Sequence, residues 1–175
     1  MIHLPAIAHE LGWELDVQEF DRINKLVPHL CNIAPSGKYP SETLWFAGGI
    51  PAVQEELKEF LNLDVMTVTG KTLGENLEDI KKSGFYERNL GYLYNYKLKK
   101  EDIITPIDKC DKYGSVAVLY GNIAPDGEVI KYSAVSEDML HHVGKAKVFD
   151  SEEACHDAVV NGKVEPGDVL IIRYE

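Results

Sequence analysis

The sequence predicts an α/β fold that passes into the start of a small β-barrel or sandwich. Three observations predict it. Amphipathic helical stretches alternate with short apolar runs up to about residue 80. Four β-rich runs separated by turn residues fill the stretch beyond residue 100, and a single helical pattern interrupts them. The boundary is therefore expected near residue 100, with 1–100 as an α/β part ending in a linker and 101–175 as the first part of the barrel.

Composition narrows the class of molecule. The 175 residues are 45% hydrophobic, enough for one ordinary packed domain or two small ones. Eighteen Lys and Arg against 29 Asp and Glu give a net charge of −11, with no concentrated basic stripe, so nucleic acid is not an expected partner. No apolar run approaches the ~20 residues that cross a bilayer, and the N-terminus lacks a secretory pattern, so no membrane partner and a cytoplasmic location are expected. Cys31, Cys110 and Cys155 lie far apart and form no Cys-x-x-Cys pair, which argues against a zinc ribbon or a disulfide framework.

Residues 2–11 read as a helix closed by Gly12, with Pro5 near its start, as if the element were entered midway. A second helix is predicted from Val17 to Leu26, with Asp16 as N-cap, Glu19 at capping-box spacing and Val17, Phe20, Ile23 and Leu26 on one stripe. Leu30–Ile33, bracketed by Pro28 and Pro35, reads as a short buried strand against which that helix packs, and Pro35-Ser36-Gly37 as a tight turn. Ser41 can cap a helix through Ala47, and Pro51 suits the first turn of another that runs to about Leu61. Val65–Val68 is a brief β-rich run, and Leu73–Lys82 an amphipathic helix. Phe85–Lys100, rich in tyrosine and basic residues, has little periodic pattern and is expected to be a linker or surface excursion. Strands are predicted at Val116–Tyr120, Val129–Val135, Ala146–Phe149 and Val169–Arg173, with a helix at Glu152–Asn161 between Ser151 and Gly162.

Candidate chemistry begins with Cys31, which stands just before the Pro35 turn. A free cysteine is most simply a buried small hydrophobe, so the thiol alone does not make a site. Gly70-Lys71-Thr72 invites a phosphate-loop reading, but that motif needs a glycine where Val65 stands, and Thr72 as a helix cap explains the same residues. The six histidines do not assemble by spacing. His29 and Cys31 would share a strand face, yet two ligands are too few for a metal. Glu55, Glu56 and Glu59 at helical spacing read as a solvated face.

Six blocks carry more than this. His3–Glu10 (HLPAIAHE), Val27–Tyr39 (VPHLCNIAPSGKY), Ala47–Val53 (AGGIPAV), Thr67–Asn76 (TVTGKTLGEN), Gly121–Gly127 (GNIAPDG) and the ending Pro166–Glu175 together resemble the dihydroxy-acid and phosphogluconate dehydratase family. The resemblance implies a hydro-lyase that converts 2,3-dihydroxy carboxylic acids or sugar acids to 2-keto acids. It implies an iron–sulfur cluster (2Fe–2S or 4Fe–4S) whose open iron takes the departing hydroxyl, and a magnesium ion that holds the carboxylate. It also implies the end of an α/β cluster-bearing domain followed by the start of a swivel-like β-barrel.

Cys31, in its Pro-x-Leu-Cys frame, stands at the position of one cluster ligand. The remaining cluster cysteines, the magnesium ligands and the serine base belong to segments that the resemblance places outside this chain. No catalytic residue is expected here, and Glu175 is not expected to be the magnesium glutamate. An internal piece of a longer enzyme, inactive alone, follows from the resemblance, with the missing regions of the same enzyme as partners and a homo-oligomer as the assembly. Gly121–Pro125 and the stretch between Asn76 and Thr105 are similar to the sugar-acid branch, whereas Cys31 in its frame and Arg173-Tyr174-Glu175 are similar to the dihydroxy-acid branch. The competing expectations are a stand-alone, non-catalytic binding module and one part of a split dehydratase.

Overall fold

The computed structural model describes residues 2–110 and 114–174. It is a mixed α/β chain that divides into two compact units, residues 1–134 and 135–175.

The first unit opens with α1 (His3–Glu10), ended by a chain reversal in which Gly12 takes φ +73° and Trp13 N–H donates to Ala8 C=O. α2 (Val17–Leu26) keeps its predicted bounds, and Asp16 caps it by accepting from Gln18 N–H at 2.9 Å. The capping box does not form, because Glu19 turns outward and pairs with Arg22. The apolar stripe is only partly covered, with Ile23 and Leu26 exposed. Nor does α2 pack on a sheet around Cys31. It packs on β1 (Ala117–Leu119), with Asn24 and Asp21 accepting from Val116 and Val118 N–H.

α3 (Glu42–Phe46), α4 (Gly49–Glu56) with a following 3-10 turn at Lys58–Phe60, α5 (Leu73–Lys82), α6 (Phe85–Asn95) and the short α7 (Lys100–Ile103) form the helical body of this unit. α3 packs against α4 and α6, and α5 lies against α4 and α6. The core gathers Leu30, Ala47, Ala52, Leu93, Ile103 and Ile104. Ser41 makes no side-chain cap; instead the buried Thr43 hydroxyl donates to Pro40 C=O at 2.7 Å. Gly48, at φ +106°, cannot be replaced, since a Cβ there would meet the Ala52 methyl at 2.7 Å and the Tyr86 ring at 2.9 Å.

The expected linker at 85–100 is instead mostly helix. Its aromatic residues looked aperiodic because they face two partners rather than one. Phe85 meets Trp45 edge-on, Tyr92 and Tyr96 lie against Phe46, and Leu93 is fully buried beneath them. Two predicted strands shrink to single bridges. Leu30–Ile33 contributes Cys31 opposite Ile104 and Ile33 opposite Tyr39, and Val65–Val68 contributes Met66 opposite Thr72. β1 pairs antiparallel with β2 (Glu128–Ile130), Val118 opposite Val129.

The second unit is a β-α-β arrangement. β3 (Ala146–Phe149) and β4 (Val169–Ile172) run parallel with Ala146 opposite Val169, joined through α8 (Glu152–Val160). Ser151 caps α8 by accepting from Ala154 N–H, as its position predicts, and Cys155 and Ala158 are its buried residues. Glu175, singled out in the sequence, lies outside the described residues.

Candidate functional site: the Cys31 frame

Cys31 is held by backbone pairing on both sides. Asn32 N–H donates to Ile103 C=O at 2.8 Å and Thr105 N–H donates to Leu30 C=O at 2.9 Å, so Cys31 stands opposite the buried Ile104 in an antiparallel, non-hydrogen-bonded pair. Such pairs bring side chains close.

The loop that follows closes on itself. Ala34 N–H donates to Tyr39 C=O at 2.7 Å, Gly37 N–H to Ile33 C=O at 2.8 Å, and Asn32 Oδ1 accepts from Lys38 N–H at 2.9 Å. The Ala34–Pro35 peptide is cis. Gly37 is obligatory here, because a Cβ would lie 2.4 Å from the backbone of Asn32 and Ile33. The motif around Cys31 is thus a set of mutually dependent backbone requirements, and the thiol sits at its fixed end.

Cys31 is half-buried at the edge of a hollow of about 250 Å³ that Ile23, Val27, Pro28, Val53 and Leu57 line with apolar surface. His29 and the intervening Leu30 border the same hollow. Burial pushes the Cys31 thiol up, and the nearby Cys110 adds to the effect. Cys110 is half-buried and donates toward Pro106 C=O at 3.4 Å, just past Ile104. The chain fold therefore brings two of the three cysteines into one neighbourhood, which their separation in sequence concealed.

The Gly70-Lys71-Thr72 segment is not organised to receive a phosphate. Lys71 is engaged by Asp79, the Thr67 hydroxyl donates to Lys71 C=O at 2.8 Å, and the Thr69 hydroxyl donates to Asn76 Oδ1 at 2.8 Å. Thr72 and Glu75 form a full capping box at the start of α5. Among the described residues no group of three or more His, Cys, Asp or Glu side chains is placed to hold a metal ion.

Two family models match the chain. One describes the dihydroxy-acid/6-phosphogluconate dehydratase N-terminal region and covers residues 1–76; the other describes the C-terminal region and covers 102–175. The chain belongs to the dihydroxy-acid/6-phosphogluconate dehydratase family. Among curated relatives, the dihydroxy-acid dehydratase of Caldanaerobacter subterraneus subsp. tengcongensis is 46% identical over the whole chain, and that of Acetivibrio thermocellus 47%. The dihydroxy-acid dehydratase of Methanococcoides burtonii is 42% identical over 99% of the chain. The chain spans about 29% of the length of the first two and 30% of the third. Both dehydratase-family regions meet around Cys31, because Leu30 and Asn32 of the first pair with Ile103 and Thr105 of the second.

Proposed function

We propose that this chain is a piece of a hydro-lyase that dehydrates 2,3-dihydroxy carboxylic acids to 2-keto acids, and that Cys31 is one ligand of its iron–sulfur cluster. The observation that carries the reading is the Cys31 frame: a thiol held opposite Ile104 by two backbone hydrogen bonds, at the seam of the two matched dehydratase regions.

The donor chemistry of this chain fits one corner of a cluster and no more. One thiolate cannot hold a cluster, so the remaining ligands, the magnesium site and the base come from the regions of the enzyme outside this span, which are its first partners. When bound, the cluster and magnesium supply Lewis acidity and charge for departure of the hydroxyl and for holding the carboxylate. Cys31 must give up its proton to ligate. Burial first, and Cys110 second, raise its pKa, so that proton is held more firmly than by an exposed thiol. Apolar side chains flank the half-buried sulfur, and the Gly37 loop fixes the backbone that carries it.

The proposal extends to architecture. A boundary near residue 100, with β1 and β2 opening a swivel-like barrel that the rest of the enzyme completes, agrees with the unmatched stretch 77–101 between the two matched regions. Exposed Leu4, Ile7, Leu11 and Trp13 along and just after α1 present an apolar face suited to those missing regions or to a second subunit. A cytoplasmic location accompanies the reading.

Sugar acids form the second substrate reading, which rests on the resemblance of Gly121–Pro125 and of the stretch between Asn76 and Thr105 to the sugar-acid branch, although dihydroxy-acid dehydratases align through that stretch as well. The test uses a polypeptide that joins this chain to the flanking regions its relatives possess. Iron and sulfide content, visible absorbance and 2-keto acid release are measured with a branched dihydroxy acid and with an aldonate. Cys31→Ala is expected to lose most of the cluster absorbance and iron. A variant that retains both at the parent level would remove Cys31 from the ligand set, and turnover confined to the aldonate would shift the substrate.

A further inference from the structure

A second hollow, of about 410 Å³, opens between α4 and α6 and is lined by Ala47, Ala52, Glu55, Glu56, Tyr86 and Leu90, with Lys81 and Lys100 at its sides. It is separate from the Cys31 hollow and owes nothing to the reading of Cys31. One wall lies in the matched N-terminal region. The other, carrying Lys81, Tyr86, Leu90 and Lys100, lies wholly in the stretch 77–101 that neither family model covers.

Its polar groups are left incomplete in a specific way. Glu55 spends one carboxylate oxygen on Lys58 at 2.7 Å, but its Oε1 is buried with no hydrogen-bond partner. The Tyr86 hydroxyl is buried and equally unpartnered. Burial, with the Glu55 charge behind it, pushes the Tyr86 phenol up to about 12, so the hydroxyl stays protonated and able to donate. Unpaired buried groups of this kind are costly unless something completes them.

Glu56 and Lys100 neutralise each other at 2.8 Å, whereas Lys81 has no ion pair among the described residues. The lining therefore offers a carboxylate oxygen without a hydrogen-bond partner, a hydroxyl without one, an unpaired lysine and an apolar surface from Ala47, Ala52 and Leu90. Glu55 is paired with Lys58 and Glu56 with Lys100, so Lys81 is the cation left to meet a ligand's negative charge.

We propose that this hollow binds a small α-amino-acid-like zwitterion. The ligand ammonium donates to Glu55 Oε1, its carboxylate accepts from the Tyr86 hydroxyl and faces Lys81, and its side chain lies on the Ala47–Ala52–Leu90 surface. A donor and an acceptor on adjacent carbons suit a lone acceptor and a lone donor on neighbouring helices. A single bridging water satisfies the two buried atoms but fills only about 30 Å³ of the space and leaves Lys81 without a counter-charge.

The experiment is calorimetric titration of the chain with glycine, L-alanine and L-norleucine, with acetate and methylammonium as half-ligands, and thermal unfolding in parallel. Saturable binding is expected for the amino acids, tightest for norleucine, and at least about tenfold weaker for either half-ligand. Glu55→Gln and Lys81→Ala are each expected to weaken it by about tenfold or more. Tyr86→Phe, which removes one atom, is expected to weaken binding while leaving the unfolding midpoint unchanged or higher. Absence of binding by all three amino acids overturns the proposal, as does undiminished binding in Glu55→Gln or half-ligands that bind as tightly as the amino acids. A Tyr86→Phe stability gain without any amino-acid binding assigns the two buried atoms to a shared water and likewise overturns it.

Discussion

Asn89 illustrates how one polar side chain joins two helices. It is 2% exposed, and its Nδ2 donates to Trp45 C=O at 2.8 Å, a second donor to a carbonyl in the last turn of α3 that also accepts from Gly48 N–H. Asn89→Ala removes one of the two donors to that carbonyl, Gly48 N–H at 3.1 Å being the other, at a cost of about 0.5–1.5 kcal/mol; urea unfolding of the variant and the parent measures it. Nothing in the sequence around Asn89 announces this role, since its partner is 44 positions away. Glu55 and Glu56 carry the same lesson with the opposite expectation. Their spacing reads as a solvated acidic face, and Glu59 is exposed, but Glu55 and Glu56 keep side-chain exposures of only 21% and 22% because α6 and Lys100 close over them.

At the level of elements, local signals were readable wherever the stabilising groups are neighbours in sequence. Thr72 caps α5 by accepting from Glu75 N–H at 3.2 Å, and Glu75 answers by accepting from Thr72 N–H at 2.7 Å. Replacing Thr72 by alanine should cost about 1 kcal/mol and fray the first turn of α5; the unfolding midpoint and hydrogen exchange at residues 73–76 report on it. α2, β3 and α8 were equally legible from caps and period. α6 was not, because its apolar positions are shared between the rings of α3 and the core, so no single helical stripe stands out. The short run at Cys31 looked like a strand because prolines bracket it, yet it finds one residue of pairing on each side and so forms bridges instead.

On the scale of the whole molecule, the core of the first unit is completed from far along the chain. Ile103 and Ile104, 0% and 1% exposed, insert among Leu30, Ala47, Ala52 and Leu93. A chain ended after Ala134 is therefore expected to keep its helical circular dichroism and unfold cooperatively, whereas one ended after Lys100 loses two core residues and the partners of the Cys31 backbone. Far-ultraviolet dichroism through a thermal ramp separates these outcomes; equal melting of the two would mean that Ile103 and Ile104 do not hold the unit together. The exposed apolar residues at the N-terminal end mark where further protein surface is expected to dock.

The amino-acid sequence by itself determined the family, the N-caps and, to within a residue, the bounds of α2, α5 and α8, and the turn after Cys31, because each depends on residues a few positions apart or on blocks in a fixed order; that Gly37 admits no Cβ came from the fold. Tertiary structure alone decided what surrounds Cys31, that Cys110 approaches it, that 85–95 is helix, and that Glu55 and Tyr86 face a common hollow. Those features depend on which surfaces are covered after folding. Burial, pairing across 44 to 92 residues and cavity shape are properties of the packed chain, which local pattern does not encode.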